Sequence, residues 1–117
     1  MFPTNHFFTS HEAILLDYEN AFIFENQHGN FCGSGHMLWV GDRTRNINNA
    51  HIKFASLVDN PIGVKIGPTI NTDELNSLCE KLNPNNEEGK LVFITRLGLK
   101  NIEQLYDEKN KKSCLSC

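Results

Sequence analysis

Basic side chains stand at the ends of three short apolar segments of the chain. The first segment runs into Val-Gly-Asp-Arg at Arg43, the second contains Val-Lys-Ile-Gly at Lys65, and the third ends in Thr-Arg-Leu-Gly at Arg96. Arginine grips phosphate or carboxylate through two parallel hydrogen bonds, and lysine supplies a point charge. If the fold brings these three side chains together, they form a site for an anionic ligand.

The segments that carry these cations have the composition of buried β-strands. MLWV, IGVKIG and LVFITR are apolar and rich in β-branched residues. Segments with helical periodicity follow each of them, and the apolar positions of the first two are Ile47, Ala50, Phe54 and Leu57, then Leu75, Leu78, Cys79 and Leu82. Asn71 or Thr72 is the expected cap of the second helix, and KNIEQLYDEKN predicts the start of a third.

The residues before the first strand predict a helix and then a loop. TSHE, Thr9 to Glu12, matches a capping box. The following AILLDYENAFIF places Ile14, Leu15, Tyr18 and Phe22 on one helical face. ENQHGNFCGSG is polar and rich in glycine, which is typical of a loop.

This order of elements predicts an α/β fold with a parallel sheet, in which ligands bind at the carboxyl ends of the strands. Val40, Lys65 and Arg96 are about 25 to 30 residues apart, close to the period of an eight-unit barrel of about 250 residues. We therefore expect a partial (β/α)8 TIM barrel of about three parallel strand–helix units preceded by a helix. It would occupy residues 1–112 as a single domain, with residues 113–117 as a polar tail.

Each candidate site residue also has a purely structural interpretation. A cation at a strand end can point into solvent. Asp42 could hold Arg43 in place or handle a proton beside a ligand. Arg45 could extend the anion site but is expected instead to be solvated or paired with an acid, and Trp39 is expected to be a core residue. His36 and His51 flank apolar runs, where histidine is usually a hydrogen-bonded structural residue.

Composition narrows the possible partners and location. The chain has 117 residues and a formal net charge of −3, which gives no reason to expect nucleic acid or an anionic membrane as a partner. No apolar run approaches the roughly 18 residues needed to span a bilayer, and the N-terminus lacks the pattern of a secretory signal. We expect a cytoplasmic protein. The terminal CLSC is a lone C-x-x-C with no partner pair, and this is weak support for a metal site.

Taken together, these segments resemble the class II 3-deoxy-D-arabino-heptulosonate 7-phosphate (DAHP) synthases. The similarity covers about Thr9 to Gly98. It rests on four blocks that stand in the family's order: TSHEAILLDYE, HMLWVGDRTRNINNAHIKF, NPIGVKIGP and LNPNNEEGKLVFITRLG.

The resemblance implies a (β/α)8 barrel transferase that opens the shikimate pathway to chorismate and the aromatic amino acids. Such an enzyme condenses phosphoenolpyruvate with erythrose 4-phosphate and uses a divalent metal of the Mn or Co type. Asp42 and Arg43 match the family's acidic-Arg pair at the phosphoenolpyruvate site, Lys65 its strand-end lysine, and Arg96 its next strand-end arginine.

The same resemblance implies that important parts of the site are not in this sequence. The family's metal ligands are a cysteine from an earlier segment and a histidine, a glutamate and an aspartate from later ones, and one further substrate-binding arginine comes from an upstream strand. The His28-Gly29-Asn30 run precedes the first strand and is not the family's HGN motif. We therefore assign no catalytic residue and no metal ligand here, and expect the chain to be inactive alone.

Three interpretations stay open at this stage. The chain could be part of a synthase, or a non-catalytic anion-binding or subunit-docking remnant of its barrel. It could also be active when another polypeptide supplies the complementary barrel segments. Open strand edges would favour self-association or such pairing.

Overall fold

The computed structural model describes residues 6–103 and contains a parallel sheet, a hairpin and helices. In chain order the elements are β1 (Ser10–Glu12), α1 (Leu16–Asn20), β2 (Ile23–Asn26), β3 (Gly29–Cys32), β4 (Met37–Val40), α2 (Ala50–Leu57), β5 (Ile62–Ile66), α3 (Thr72–Leu82) and β6 (Leu91–Thr95). Residues 99–103 are helical, at the start of the third predicted helix. The rest of that helix and the tail with Cys114 and Cys117 lie outside the described residues.

Four strands form the sheet, in the order β1-β4-β5-β6. All three pairings are parallel, so the carboxyl ends of the strands lie at one edge. The prediction of a parallel sheet and of strands β4, β5 and β6 is confirmed. Such a sheet, with helices after β4 and β5, is consistent with part of a barrel, while the closed barrel stays a prediction.

Alternation along the strands puts one face of the sheet against the helices. Its buried strand residues are Leu38, Val40, Ile62, Val64, Ile66 and Leu91, and they share a core with the buried residues of α2 and α3. The opposite face carries Met37, Trp39, Lys65, Val92 and Ile94, which are half-buried or exposed. This second face is the one that bears Lys65.

Helix α3 forms as its sequence predicts. The Asn71 side chain accepts a hydrogen bond from Glu74 N at 2.8 Å, and the Glu74 carboxylate accepts one from Asn71 N at 3.1 Å. This reciprocal pair satisfies two of the free amides at the start of a helix. The predicted apolar stripe of α3 is buried or packs against the core.

The predicted apolar stripe of α2 is partly wrong. Phe54 is buried as expected, but Ala50 and Leu57 are exposed and Ile52 is fully buried instead. The helix begins only at Ala50, so Ile47 lies in the preceding loop and does not extend the helical face. None of the helices among residues 6–103 is long and apolar enough to cross a membrane.

The predicted N-terminal helix is wrong. Ser10–Glu12 is strand β1, which pairs with Met37–Trp39 of β4, and Ala13 N continues the pairing by donating to Trp39 O at 3.0 Å. Helix α1 is only five residues long, and Leu15 is 68% exposed. The hydrogen bonds offered by β4 satisfy the backbone that the capping pattern would otherwise have placed in a helix, so this unit begins with a strand.

The predicted loop after it is also wrong, because residues 23–32 form an antiparallel hairpin. Strand β2 pairs with β3 from Ile23 opposite Cys32 to Asn26 opposite Gly29. Gly29 has φ +135°, a conformation that favours glycine, and a β-carbon there would clash with the Asp59 carboxylate. The hairpin is held to the α2–β5 loop by Asn30 N donating to Asp59 Oδ2 at 2.8 Å and Asp59 N donating to Asn30 O at 2.7 Å.

Candidate functional site

The three cations selected from the sequence lie at the carboxyl ends of three adjacent strands. Arg43 follows β4 in a turn, Lys65 is the penultimate residue of β5, and Arg96 comes directly after β6. All three side chains are exposed. The sheet order therefore places them along one edge, as expected for strands of a parallel sheet.

Lys65 and Arg96 also share a face of the sheet. Lys65 is opposite Ile94 in the β5–β6 register. Arg96 N donates to Ile66 O at 3.0 Å, which extends the ladder by one residue beyond β6. Because side chains alternate along a strand, Arg96 lies on the same face as Ile94 and Lys65, away from α2 and α3.

The Lys65 ammonium group lies over an aromatic ring. Its Nζ is 4.0 Å from the centroid of the Trp39 ring, on the neighbouring strand. Cation–π contacts at exposed sites contribute about 0.5–1 kcal/mol and restrict where the ammonium can go. Trp39 is half-buried on the exposed face and is not the core residue that the sequence predicted.

Asp42 binds Arg45 and the backbone of β5, and this corrects the expectation that it could hold Arg43. Its Oδ1 accepts hydrogen bonds from Arg45 Nε at 2.8 Å and from Gly67 N at 3.0 Å. The Arg45 hydrogen bond is the main reason that the pKa of Asp42 lies below its ordinary value, with partial desolvation opposing it and the Gly67 amide assisting. Asp42 is therefore an ionised residue that anchors a loop.

Arg45 is far less exposed than the three site cations. Only 11% of its side chain is accessible, and its Nη1 is 3.7 Å from Glu74 Oε2 in addition to the contact with Asp42. The expectation that Arg45 pairs with an acid is confirmed. The alternative expectation, a solvated side chain, is wrong.

Glu12 lies at the edge of the candidate site, and the sequence pattern did not predict it there. In the register it lies opposite Trp39, and a β-carbon added to Gly41 would clash with its Oε1. Glu12 thus reaches the end of β4, beside the loop that carries Asp42 and Arg43. The capping pattern assigned it to a helix, although an acid at the end of a strand was the signal that could have found it.

The histidines have structural partners. His36 Nδ1 accepts from Thr9 N at 3.0 Å, and the ring of His51 contacts Ile14 O at 2.9 Å through Nε2. Both confirm the predicted structural role. His11 Nε2 lies 2.6 Å from Glu19 Oε1, in a second polar cluster that also contains Cys32 and Ser34, which precede β4.

The described side chains do not fit a metal centre. Among residues 6–103, no three His, Cys, Asp or Glu side chains are grouped so that they could hold a metal ion. Asp42 at the sheet edge is engaged with Arg45 and the Gly67 amide instead.

The sequence matches a known protein family along most of its length. A profile of the class-II DAHP synthetase family matches residues 1–112. The chain belongs to the class-II DAHP synthetase family.

Several curated relatives of this family are similar along most of the chain. A phospho-2-dehydro-3-deoxyheptonate aldolase of Streptomyces coelicolor is 45% identical over 113 residues, which are 95% of this chain and 25% of that protein. A probable enzyme of the same name from Pseudomonas fluorescens is 46% identical over 91 residues, 77% of this chain and 23% of its own length. A probable chloroplastic one from Catharanthus roseus is 43% identical over 101 residues, 85% of this chain and 20% of its own length. The chain therefore spans about a fifth to a quarter of the length of these relatives.

Proposed function

We propose that this chain forms part of the phosphoenolpyruvate site of a DAHP synthase, the enzyme that condenses phosphoenolpyruvate with erythrose 4-phosphate. The observation that carries the proposal is the line of Arg43, Lys65 and Arg96 at the carboxyl ends of three adjacent parallel strands. Phosphoenolpyruvate carries a phosphate and a carboxylate, and these groups suit two arginine forks and an ammonium. The names of the relatives favour this function over a non-catalytic remnant.

In this proposal each residue has a separate task. Arg43 and Arg96 bind the anionic groups of the substrate, and the Lys65 ammonium, held over Trp39, lies between them along the sheet edge. Asp42 does not contact the anion, because its ionised carboxylate would repel it. It anchors the turn that carries Arg43. Fixing both anionic groups of the substrate would orient its enol carbon for bond formation.

A divalent metal of the Mn or Co type stays an expectation for the complete family enzyme, in which it would polarise the aldehyde of erythrose 4-phosphate. The acids at this sheet edge do not offer a set that fits the metal. We therefore restrict the proposal for this chain to anion binding and orientation. Because the site cations are exposed to water, we expect weak binding by the isolated chain.

Titration of inorganic phosphate and phosphoenolpyruvate into the purified chain tests this proposal, with amide chemical shifts as the readout. Arg43→Ala should lower the affinity for both anions at least tenfold, about 1.4 kcal/mol, because a charge-assisted contact is lost. Lys53→Ala is the charge-matched control, since Lys53 is exposed on α2. Equal affinity of the wild-type chain and Arg43→Ala would contradict the proposal.

A further inference from the structure

The almost buried guanidinium of Arg45 connects the two loops that end β4 and β5. On one side its Nε donates to Asp42, and on the other its Nη1 faces Glu74. The Glu74 carboxylate also accepts from Asn71 N, at the start of α3. Arg45 thus lies between the loop after β4 and the N-terminus of the helix after β5.

Asp42 links Arg45 to the end of strand β5. The carboxylate that Arg45 binds also accepts from Gly67 N, directly after β5. The contact is close, since a β-carbon on Gly67 would be 3.0 Å from Asp42 Oδ2. A β-carbon at this position would require the carboxylate to shift by a few tenths of an ångström.

Arg43 is the next residue along this anchored loop. Thr44 N donates to Gly41 O at 3.1 Å, which closes the turn that contains both Asp42 and Arg43. With the turn closed and Asp42 hydrogen-bonded to Gly67 N, the backbone of Arg43 has a defined place after the end of β4. The Asp42 side chain is 46% exposed. Without Arg45 it would keep the hydrogen bond from Gly67 N, and water would replace the hydrogen bond from Arg45.

We propose that Arg45 is a positioning residue for the anion site: it holds Asp42 against the end of β5 and thereby places Arg43 for the ligand. This role rests on the proposed function, because it needs an anion that Arg43 binds. Arg45 itself does not touch that anion, since its guanidinium is directed to Asp42 and Glu74.

The test compares Arg45→Gln and Arg45→Lys with the wild-type chain by amide chemical shifts. The Gly67 amide signal reports directly on the Asp42 contact, and its pH titration reports the pKa of Asp42. In Arg45→Gln we expect the Gly67 signal to move, its titration midpoint to rise, and the affinity for phosphate and phosphoenolpyruvate to fall about tenfold. Arg45→Lys keeps the positive charge and should retain part of the affinity that Arg45→Gln loses. It also gives a folded variant for the test if Arg45→Gln does not fold.

Two further variants show whether a loss of anion affinity comes from the position of Asp42, from the loss of a positive charge or from a general loss of stability. Lys81→Gln also removes a cation and a hydrogen bond to the same loop, from Nζ to Ile47 O, but should leave the Gly67 signal and anion affinity unchanged. Gly67→Ala crowds the Asp42 carboxylate from the other side and should reproduce part of the loss of affinity with Arg45 present. The charged residues around Asp42, which also influence its pKa, are Arg43, Arg45, Glu74 and Glu12.

The outcomes are distinct for the two proposals. An unchanged Gly67 signal in Arg45→Gln, or unchanged anion affinity in that variant, overturns the positioning role. If the wild-type chain binds neither anion, the proposed function fails. The Gly67 signal then still decides whether Arg45 holds the loop, and an unmoved signal refutes that as well.

Discussion

At the scale of single residues, the ionisation of Asp42 is coupled to the folded state. Its carboxylate accepts two hydrogen bonds that the unfolded chain does not make, one from Arg45 and one from Gly67 N. The pKa of Asp42 is consequently lower in the folded protein than the ordinary value of 3.8. A carboxyl group of this kind stabilises the fold above its unfolded pKa and loses that contribution as the pH falls through its folded pKa.

Asp42→Asn should therefore destabilise the chain at pH 7 and have a diminishing effect in acid. We expect a loss of up to about 1 kcal/mol in the free energy of unfolding, because the ion pair is partly exposed. Urea unfolding at pH 7 and at a series of pH values below 4 measures the difference. Glu88→Gln, which removes an exposed loop carboxylate, is the control. A difference between wild type and Asp42→Asn that stays constant with pH would contradict the coupling.

At the scale of elements, helix α1 is held by a buried polar cluster. Helix α1 has only five residues, too few to be stable by itself. Its Glu19 is 1% exposed, accepts from Ser34 Oγ at 2.5 Å, and faces His11 Nε2 at 2.6 Å. The Cys32 thiol donates to Glu19 O at 3.3 Å. These contacts fasten α1 to β1, to β3 and to the segment that leads into β4.

Replacing Glu19 with leucine should destabilise this region by about 2–3 kcal/mol, because the Ser34 hydroxyl loses its acceptor inside the protein. Glu19→Gln keeps an acceptor oxygen and should cost less. Chemical denaturation of both variants gives the comparison.

Leu15→Ala is the matched control for this cluster, since Leu15 precedes α1 and its exposed side chain contributes little to packing. We expect its effect to stay within about 0.5 kcal/mol. If Glu19→Leu is as stable as Leu15→Ala, the cluster does not hold the element.

At the scale of the whole molecule, the described sheet has two outer strands. Strands β1 and β6 each pair with one neighbour within residues 6–103, and the face away from the helices exposes apolar side chains such as Val92, 41% exposed. Open strand edges and exposed apolar surface favour association with another chain. Pairing with complementary segments of a longer synthase would cover the same surface.

We expect the purified chain to self-associate as its concentration rises, and Val92→Lys to reduce this by placing a charge on the apolar face. Ser56→Lys adds the same charge on the exposed side of α2 and should leave association unchanged. Multi-angle light scattering over a concentration series distinguishes these cases. A wild-type chain that stays monomeric throughout, or one that associates as strongly after Val92→Lys, would contradict the expectation.

Local patterns in the sequence were sufficient for the part of the fold that carries the cations. Strands β4, β5 and β6 are apolar runs bounded by breaking residues, and the cap and stripe of α3 lie within the twelve positions from Asn71 to Leu82. In such elements the hydrogen bonds or burial that stabilise the structure follow from neighbouring residues. The order of three parallel strands then places Arg43, Lys65 and Arg96 at one edge.

Only the tertiary structure decided the rest. Ser10–Glu12 is a strand because β4 offers it hydrogen bonds, and residues 23–32 form a hairpin because the two segments pair and are tied to Asp59. Asp42 accepts hydrogen bonds from Arg45 and Gly67, and the Lys65 ammonium lies over the Trp39 ring. These contacts join residues whose proximity no local pattern encodes. The sequence by itself therefore determined which cations stand at the strand ends, and the tertiary structure decided which groups hold them there.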